Sequence, residues 1–268
     1  MTARVAVAQT APTVGDVEAN VAGAVATIGS LAGSADVVVF PELFTTGYRR
    51  EGMDHAALAE LIPEGPSVRR LADAAERGGL AVVGTILEKA DGRVYDTAIV
   101  IDRDGRMAGR YRKSHLYPAE RAFFAPGDSL EVVAAGGLNI GLAICFEHAF
   151  PEIFTELAIA GAELIAIPSA VPVGYEYLLE LRTRARAQDN QLFVAAANLV
   201  GNDGETEWCG RSMIVGPRGD LLAFAGDRVD VITATIEDDL ASAERAQEPA
   251  LENRRPELYS HLAESSRP

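Results

Sequence analysis

The sequence predicts an α/β protein: a four-layer α-β-β-α sandwich with two pseudo-repeated halves. Three observations point there. Strand and helix signals alternate twice, and each time antiparallel strands follow. Asp91-Gly92 and Asp104-Gly105 are strong hairpin signals that divide residues 84–113 into a three-strand meander. The run Ala98-Ile99-Val100-Ile101-Asp102-Arg103-Asp104-Gly105 is echoed by Ser212-Met213-Ile214-Val215-Gly216-Pro217-Arg218-Gly219. Two mixed sheets, each with helices on one face, would bury their other faces against each other.

In chain order, residues 4–9 alternate with valine and read as a strand. Asp16 caps an alanine-rich helix running to Leu31, and residues 36–40 form a short, continuously apolar strand that ends in Pro41-Glu42. Pro66 opens a second helix and Gly78-Gly79 stops it. Leu80 to Thr85 is a buried strand, followed by the meander, whose last strand covers residues 106–113. In the second half, strand 138–144 leads to Cys145 and a helix follows over 151–160. Then come strand 164–168, a charged helix over 176–190 and strand 192–198. A hairpin at Pro217-Arg218-Gly219-Asp220 and a last strand over 229–236 precede a polar tail.

No linker or composition shift divides the chain. Residues 1–268 are therefore expected to form a single domain, with 241–268 a C-terminal tail that could pack on a neighbouring subunit through Asn253-Arg254-Arg255-Pro256. A net charge of −15 disfavours nucleic acid and anionic membrane surfaces as partners. No stretch approaches the roughly 18 apolar residues of a membrane span, and the apolar run at the start is too short for a signal peptide. Two distant cysteines make no disulfide framework, so a reducing, cytoplasmic setting is expected. Four scattered histidines show no metal-ligand spacing, and neither metal nor cofactor is expected.

Cys145 sits where a strand gives way to a helix start. Backbone N–H groups at such a turn favour both thiolate and oxyanion. Alone, it would pass for a buried core thiol. Glu42 and Lys113 also stand at predicted strand ends, and strand ends of a mixed sheet can converge on one rim. A carboxylate can take the thiol proton, and an ammonium lowers the thiol pKa and holds an oxyanion together with the Phe146 N–H.

The segments carrying these residues resemble those of the nitrilase, or carbon–nitrogen hydrolase, superfamily along nearly the whole chain. Phe40-Pro41-Glu42 resembles its first catalytic segment, and Tyr111-Arg112-Lys113-Ser114-His115-Leu116 its lysine segment. Ile140 to Cys145 with Phe150-Pro151-Glu152 resembles the cysteine segment. Glu120 with Phe124-Ala125-Pro126-Gly127 matches a further glutamate and its turn. Arg186 to Asn190 and Ala197-Asn198 resemble a late helix–strand pair. The resemblance implies a nitrilase-like sandwich, often a homodimer or higher homo-oligomer, and a Glu42–Lys113–Cys145 triad with Glu120 as fourth member. It also implies hydrolysis of a non-peptide carbon–nitrogen bond. The favoured substrate is a small amide, converted with water to a carboxylic acid and ammonia through a Cys145 thioester.

Cys145-Phe146-Glu147-His148 departs from the aromatic-then-aspartate pattern of amidase branches and resembles true nitrilases, which keeps a nitrile substrate open. His115 and the chain length favour the amidase side. An acyl transferase and a catalytically silent binding protein share the fold as alternatives. Substrate contacts are expected from Tyr48, Tyr117, Phe146, Glu147, His148, Val171, Tyr175 and Trp208, while Cys209 is read as structural.

Overall fold

The computed structural model describes residues 2–49 and 51–263; residues 264–268 of the expected tail lie outside them. Two six-stranded sheets stack face to face with helices on the outside. The first half contains β1 (Thr2–Gln9), α1 (Val17–Ser30), β2 (Val37–Val39), α2 (His55–Leu58), α3 (Pro66–Gly78), β3 (Ala81–Ala90), β4 (Arg93–Ile101), β5 (Met107–Arg112) and β6 (Val132–Ala135). The second contains β7 (Leu138–Leu142), α4 (Pro151–Ile159), β8 (Leu164–Ser169), α5 (Glu176–Asn190), β9 (Phe193–Asn198), β10 (Val200–Asn202), β11 (Glu207–Cys209), β12 (Met213–Val215), β13 (Leu221–Phe224), β14 (Asp230–Glu237) and α6 (Asp238–Gln247).

The first sheet has the order β14-β1-β2-β3-β4-β5 and the second β13-β12-β9-β8-β7-β6. In each, three central strands are parallel and the flanking ones antiparallel. The repeat therefore holds, with an exchange the sequence did not suggest. The last strand of each half leaves its own sheet: β6 pairs with β7, and β14 pairs with β1.

Local chemistry explains the elements. The Asp16 side chain accepts from Ala19 N at 3.1 Å and caps α1. Pro66 starts α3, and Gly79 ends it in the left-handed region at φ 65°. Asp91 and Gly92 both have positive φ, as the tight β3–β4 turn requires. Alternation on β1 sends Val5 and Val7 into the layer between the sheets, with Ile140, Leu142 and Ala195. Ala6 and Ala8 face the other way, toward Ile28 of α1 and Leu71 of α3. The second sheet repeats this, with Ile165, Ile167, Val194 and Ala196 packed beneath α4 and α5.

Five elements were not expected, among them the four-residue α2. β10 and β11 span three residues each and β6 four, too short to show alternation. The supposed polar tail begins with α6, where only Ala241 is buried as a hydrophobic anchor, so no apolar stripe marks the helix. Gln191 Nε2 donates to Glu248 O at 2.6 Å, and Arg218 pairs with Glu244, so the start of the tail packs on its own chain. No helix among the described residues is long and apolar enough to cross a membrane.

Candidate active site

The strand ends do converge. Glu42 follows β2, Lys113 follows β5, and Cys145 follows β7 by three residues. Close packing sets the approach. A Cβ at Gly84 of β3 would lie 2.7 Å from Phe44 and 2.9 Å from Phe40, so only glycine lets the Glu42 segment settle on that strand. At Gly127 a Cβ would meet Arg112 O at 2.2 Å, and the Gly127 N–H donates to Lys113 O at 2.9 Å. The backbone N–H of Glu42 donates across to Ser169 O of the second sheet at 3.3 Å. Cys145 itself is held at φ 43°, a left-handed conformation costly for a side chain of this kind, at the start of a one-turn helix over Cys145–Ala149.

Lys113 is almost fully buried, and its ammonium is clamped between two carboxylates. Nζ donates to Glu42 Oε1 at 2.6 Å and to Glu120 Oε1 at 2.7 Å. The Tyr48 hydroxyl also donates to Glu120 Oε1 at 2.6 Å, and the Tyr117 N–H donates to Glu120 Oε2 at 2.7 Å. Burial works against the ammonium, but Glu42, Glu120 and Asp96 outweigh it and hold the Lys113 pKa well above the usual lysine range.

Asp96, on β4, is the member the sequence analysis missed. It is fully buried, and Oδ2 lies 3.8 Å from Lys113 Nζ. Among the described residues, neither Asp96 oxygen nor Glu42 Oε2 receives a hydrogen bond. Glu42, Asp96 and Glu120 have oxygens within 4.8 Å of one another, a spacing that would suit a cation, and Lys113 supplies the positive charge there. Three carboxylates around one ammonium cannot all stay ionised in a dry site. Burial pushes the Asp96 carboxyl well above the usual range, with the Glu42 charge adding to it. Protonated, Asp96 can donate to Glu42, which answers the orphaned oxygens. Burial also raises Glu42, with Lys113 opposing.

Cys145 Sγ accepts from the Ala170 N–H at 3.4 Å. Burial pushes its thiol well above the ordinary cysteine value, and the Glu42 charge adds to that; Lys113 and the Ala170 N–H pull the other way. The resting group is a thiol, and its proton must go to a base as it reacts.

Glu147, expected among the substrate contacts, is instead structural. It is fully buried and off the cavity wall. Its Oε1 accepts from Tyr111 Oη at 2.5 Å, Ser114 Oγ at 2.7 Å, Ser114 N at 2.9 Å and His115 N at 3.0 Å, and its Oε2 from Ile144 N at 2.7 Å. It thereby ties the lysine segment to the cysteine segment. Burial opposes the charge, but these donors prevail and lower its pKa.

A cavity of about 330 Å³ opens above the site, lined by Lys113, Glu120 and Cys145. The expected contacts Tyr48, Tyr117, Phe146 and His148 are on its wall, as are Val171, Tyr175 and Trp208. Asn198 holds one side in place: its Oδ1 accepts from Val171 N at 2.7 Å, and its Nδ2 donates to Gly210 O at 2.8 Å. Asn198 Nδ2 also approaches Cys209 Sγ at 3.3 Å, off the cavity wall. Leu178 and Arg182 of α5 and Thr206 line the cavity too and were not anticipated. The periodicity of a charged helix does not show which side meets a pocket.

Comparison with known proteins agrees with this geometry. The carbon-nitrogen hydrolase family profile matches residues 4–245. The chain is 38% identical over 232 residues to a protein described as hydrolase in pqqF 5'region from Pseudomonas protegens, covering 85% of this chain and 81% of that one. It is 35% identical over 233 residues to an (R)-stereoselective amidase from Pseudomonas sp, covering 86% and 84%. Among solved structures, a mutant amidase from Nesterenkonia sp. AN1 superposes with a TM-score of 0.85 at 25% identity, covering 97% of this chain and 96% of that one. That structure shows covalent addition of the acetamide moiety of fluoroacetamide at the active site cysteine. The strand-end cluster, the sandwich and the profile match converge: this chain belongs to the carbon–nitrogen hydrolase family of the nitrilase superfamily.

Proposed function

We propose that the protein hydrolyses a small amide to a carboxylic acid and ammonia through a thioester on Cys145. The observation that carries this reading is an ammonium clamped between two buried carboxylates in the cavity that Cys145 lines. Glu42 takes the Cys145 proton as sulfur attacks the amide carbon. Lys113 and the Phe146 N–H, which lies in the first turn of a helix where backbone donors lack a helical partner, stabilise the oxyanion. Glu42 returns the proton to the leaving nitrogen, ammonia departs, and the acyl group stays on sulfur. Glu42 then takes a proton from water, hydroxide attacks the thioester, and the acid leaves as the thiol is restored. Glu120 positions Lys113.

The cysteine adduct in the Nesterenkonia amidase and the likeness to an (R)-stereoselective amidase from Pseudomonas sp support an amide over a nitrile. Glu147 is the residue that had pointed to nitrilases, and it makes only internal bonds. We further propose that residues 1–268 work as one domain in a reducing, cytoplasmic setting, as a homodimer or higher oligomer. Strand exchange between the halves supports the first point. Leu258, Tyr259 and Leu262, exposed near the end of the described chain, support a tail that packs on a neighbour.

The test uses matched amides and nitriles with ammonia as readout. The wild-type protein is expected to release ammonia from amides and Cys145→Ala to release none. Intact-mass measurement should show the acyl group on Cys145. Turnover retained by pure Cys145→Ala protein would end the mechanism.

A further inference from the structure

Two cavities share a wall. The cavity above Cys145 is lined in part by Tyr48, Thr206 and Trp208. A second, of about 450 Å³, adjoins it: Tyr48 and Thr206 line this one too, with Arg49, Phe123, Asp203 and Glu205. Much of the shared wall is the β10–β11 hairpin, which belongs to neither six-stranded sheet. Its strands span three residues each, and a two-stranded hairpin of that length is marginal by itself in water. Space on two sides also denies it close packing, so its position depends on what holds it from outside.

The second strand of the hairpin is anchored, and the tip is held at one residue. The Cys209 N–H donates to Val171 O at 3.1 Å, and the Val173 N–H donates to Glu207 O at 2.8 Å. At the tip, Asn202 Oδ1 accepts from Gly204 N at 2.7 Å, and Asp203 Oδ1 accepts from Glu205 N at 2.9 Å and Thr206 N at 2.8 Å, so these bonds stay within the turn. Among the described residues, the hydrogen bonds and ion pairs of 203–206 leave the hairpin only toward Arg49. Its guanidinium donates to Asp203 O at 2.6 Å and faces Glu205 Oε2 at 3.5 Å. The Glu205 side chain is half exposed, so solvent weakens that ion pair, and the charge-assisted bond to Asp203 is the stronger hold. Arg49 is itself fixed: its carbonyl oxygen lies 2.7 Å from His55 Nε2, and the buried His55 ring packs on Phe123 and Phe124.

The hairpin in turn touches the reacting groups. Trp208, the chain's only tryptophan, meets the Tyr48 ring edge-on with centroids 5.5 Å apart. The Tyr48 hydroxyl donates to the same Glu120 oxygen that holds Lys113. We propose that Arg49 is a positioning residue: it latches the hairpin against the cavity, so that Trp208 excludes water and braces Tyr48 on Glu120. Released, the hairpin swings away on its anchored strand, the wall opens and the clamp on Lys113 loosens. The proposal takes its site from the hydrolase reading above but requires no particular substrate.

Trp208 makes the latch measurable without turnover. At 8% exposed, its fluorescence should be poorly quenched by iodide in the wild-type protein. Arg49→Gln should raise the quenching constant about threefold, and Arg49→Lys should recover part of the protection. With butanamide as substrate, Arg49→Gln should lower kcat/KM about fivefold, through kcat as well as KM, because an open wall loses both cover and positioning. Hydrogen exchange on the wild-type protein needs no variant: residues 200–209 should exchange together and faster than β9. Quenching unchanged in Arg49→Gln protein whose circular dichroism matches wild type overturns the latch, as does exchange in 200–209 as slow as in β9. Raised quenching with unaltered kcat/KM sinks the positioning role. Raised quenching in a protein that turns over no amide leaves the latch standing and counts against the hydrolase reading alone.

Discussion

Asp96 Oδ2 lies 3.8 Å from Lys113 Nζ, outside hydrogen-bonding reach, in a position where no other donor among the described residues serves it. The raised pKa of Asp96 fixes a sign for stability. The native state binds a proton that the unfolded chain gives up, so the contribution is fully present below the ordinary aspartate pKa. It fades as pH rises through the native value. Asp96→Asn, a permanent donor of the same shape, should keep most of the turnover and raise Tm at pH 7.5. About 2–4 °C is expected, the effect of ~1 kcal/mol in a chain of this size. Asp96→Ala should lower both. Scanning calorimetry at pH 5 and 7.5 checks this, and the Asn gain should shrink at the lower pH.

Glu42 must be ionised to accept the thiol proton, and burial raises its pKa with Lys113 opposing. The acid limb of kcat/KM should therefore fall above the ordinary glutamate range. Glu120 also raises Glu42, so Glu120→Gln should move that limb to lower pH while reducing the rate. Rates from about pH 4 to 9 would show it. A limb unmoved by Glu120→Gln would mean that another group takes the proton.

Both thiols are held protonated, Cys209 with its pKa pushed up to about 11 by burial. Only Cys145 lines the cavity. Iodoacetamide should therefore alkylate Cys145 alone in native protein, with a rate that rises with pH. Cys209 should react only after denaturation. Peptide mass mapping separates the two.

Glu147 binds five internal donors, so its loss leaves several buried groups without an acceptor. Glu147→Ala should cost about 2–4 kcal/mol in urea unfolding. Its pKa is lowered, so its contribution is present above the ordinary glutamate value and is lost as pH falls through the native one. The gap between wild type and variant should narrow in acid.

Much of this architecture was legible because its signals are local. Proline and glycine mark the ends of α3, Asp91-Gly92 marks a turn, and valine alternation marks β1. The pairing of β6 with β7 and of β14 with β1 was not legible, because sheet membership depends on partners remote in sequence. Glu42, Lys113 and Cys145 were found as strand-end residues and Glu120 through the family resemblance, and the structure gathers them. Asp96 was passed over inside a meander strand, although a lone acid at the edge of an apolar run was a usable signal. Glu147 was misplaced because adjacency to Cys145 says nothing of side: in a tight turn, neighbours point different ways. Arg182 was hidden among the charges of α5.

The exchange of strands also bears on how a nascent chain matures. β1 leaves the ribosome long before the strand that covers its edge, Asp230–Glu237. Throughout translation the N-terminal sheet carries an open hydrogen-bonding edge that could recruit a stray strand from another molecule. Any truncation before residue 230 would make that exposure permanent, and such fragments should aggregate rather than survive as half-proteins.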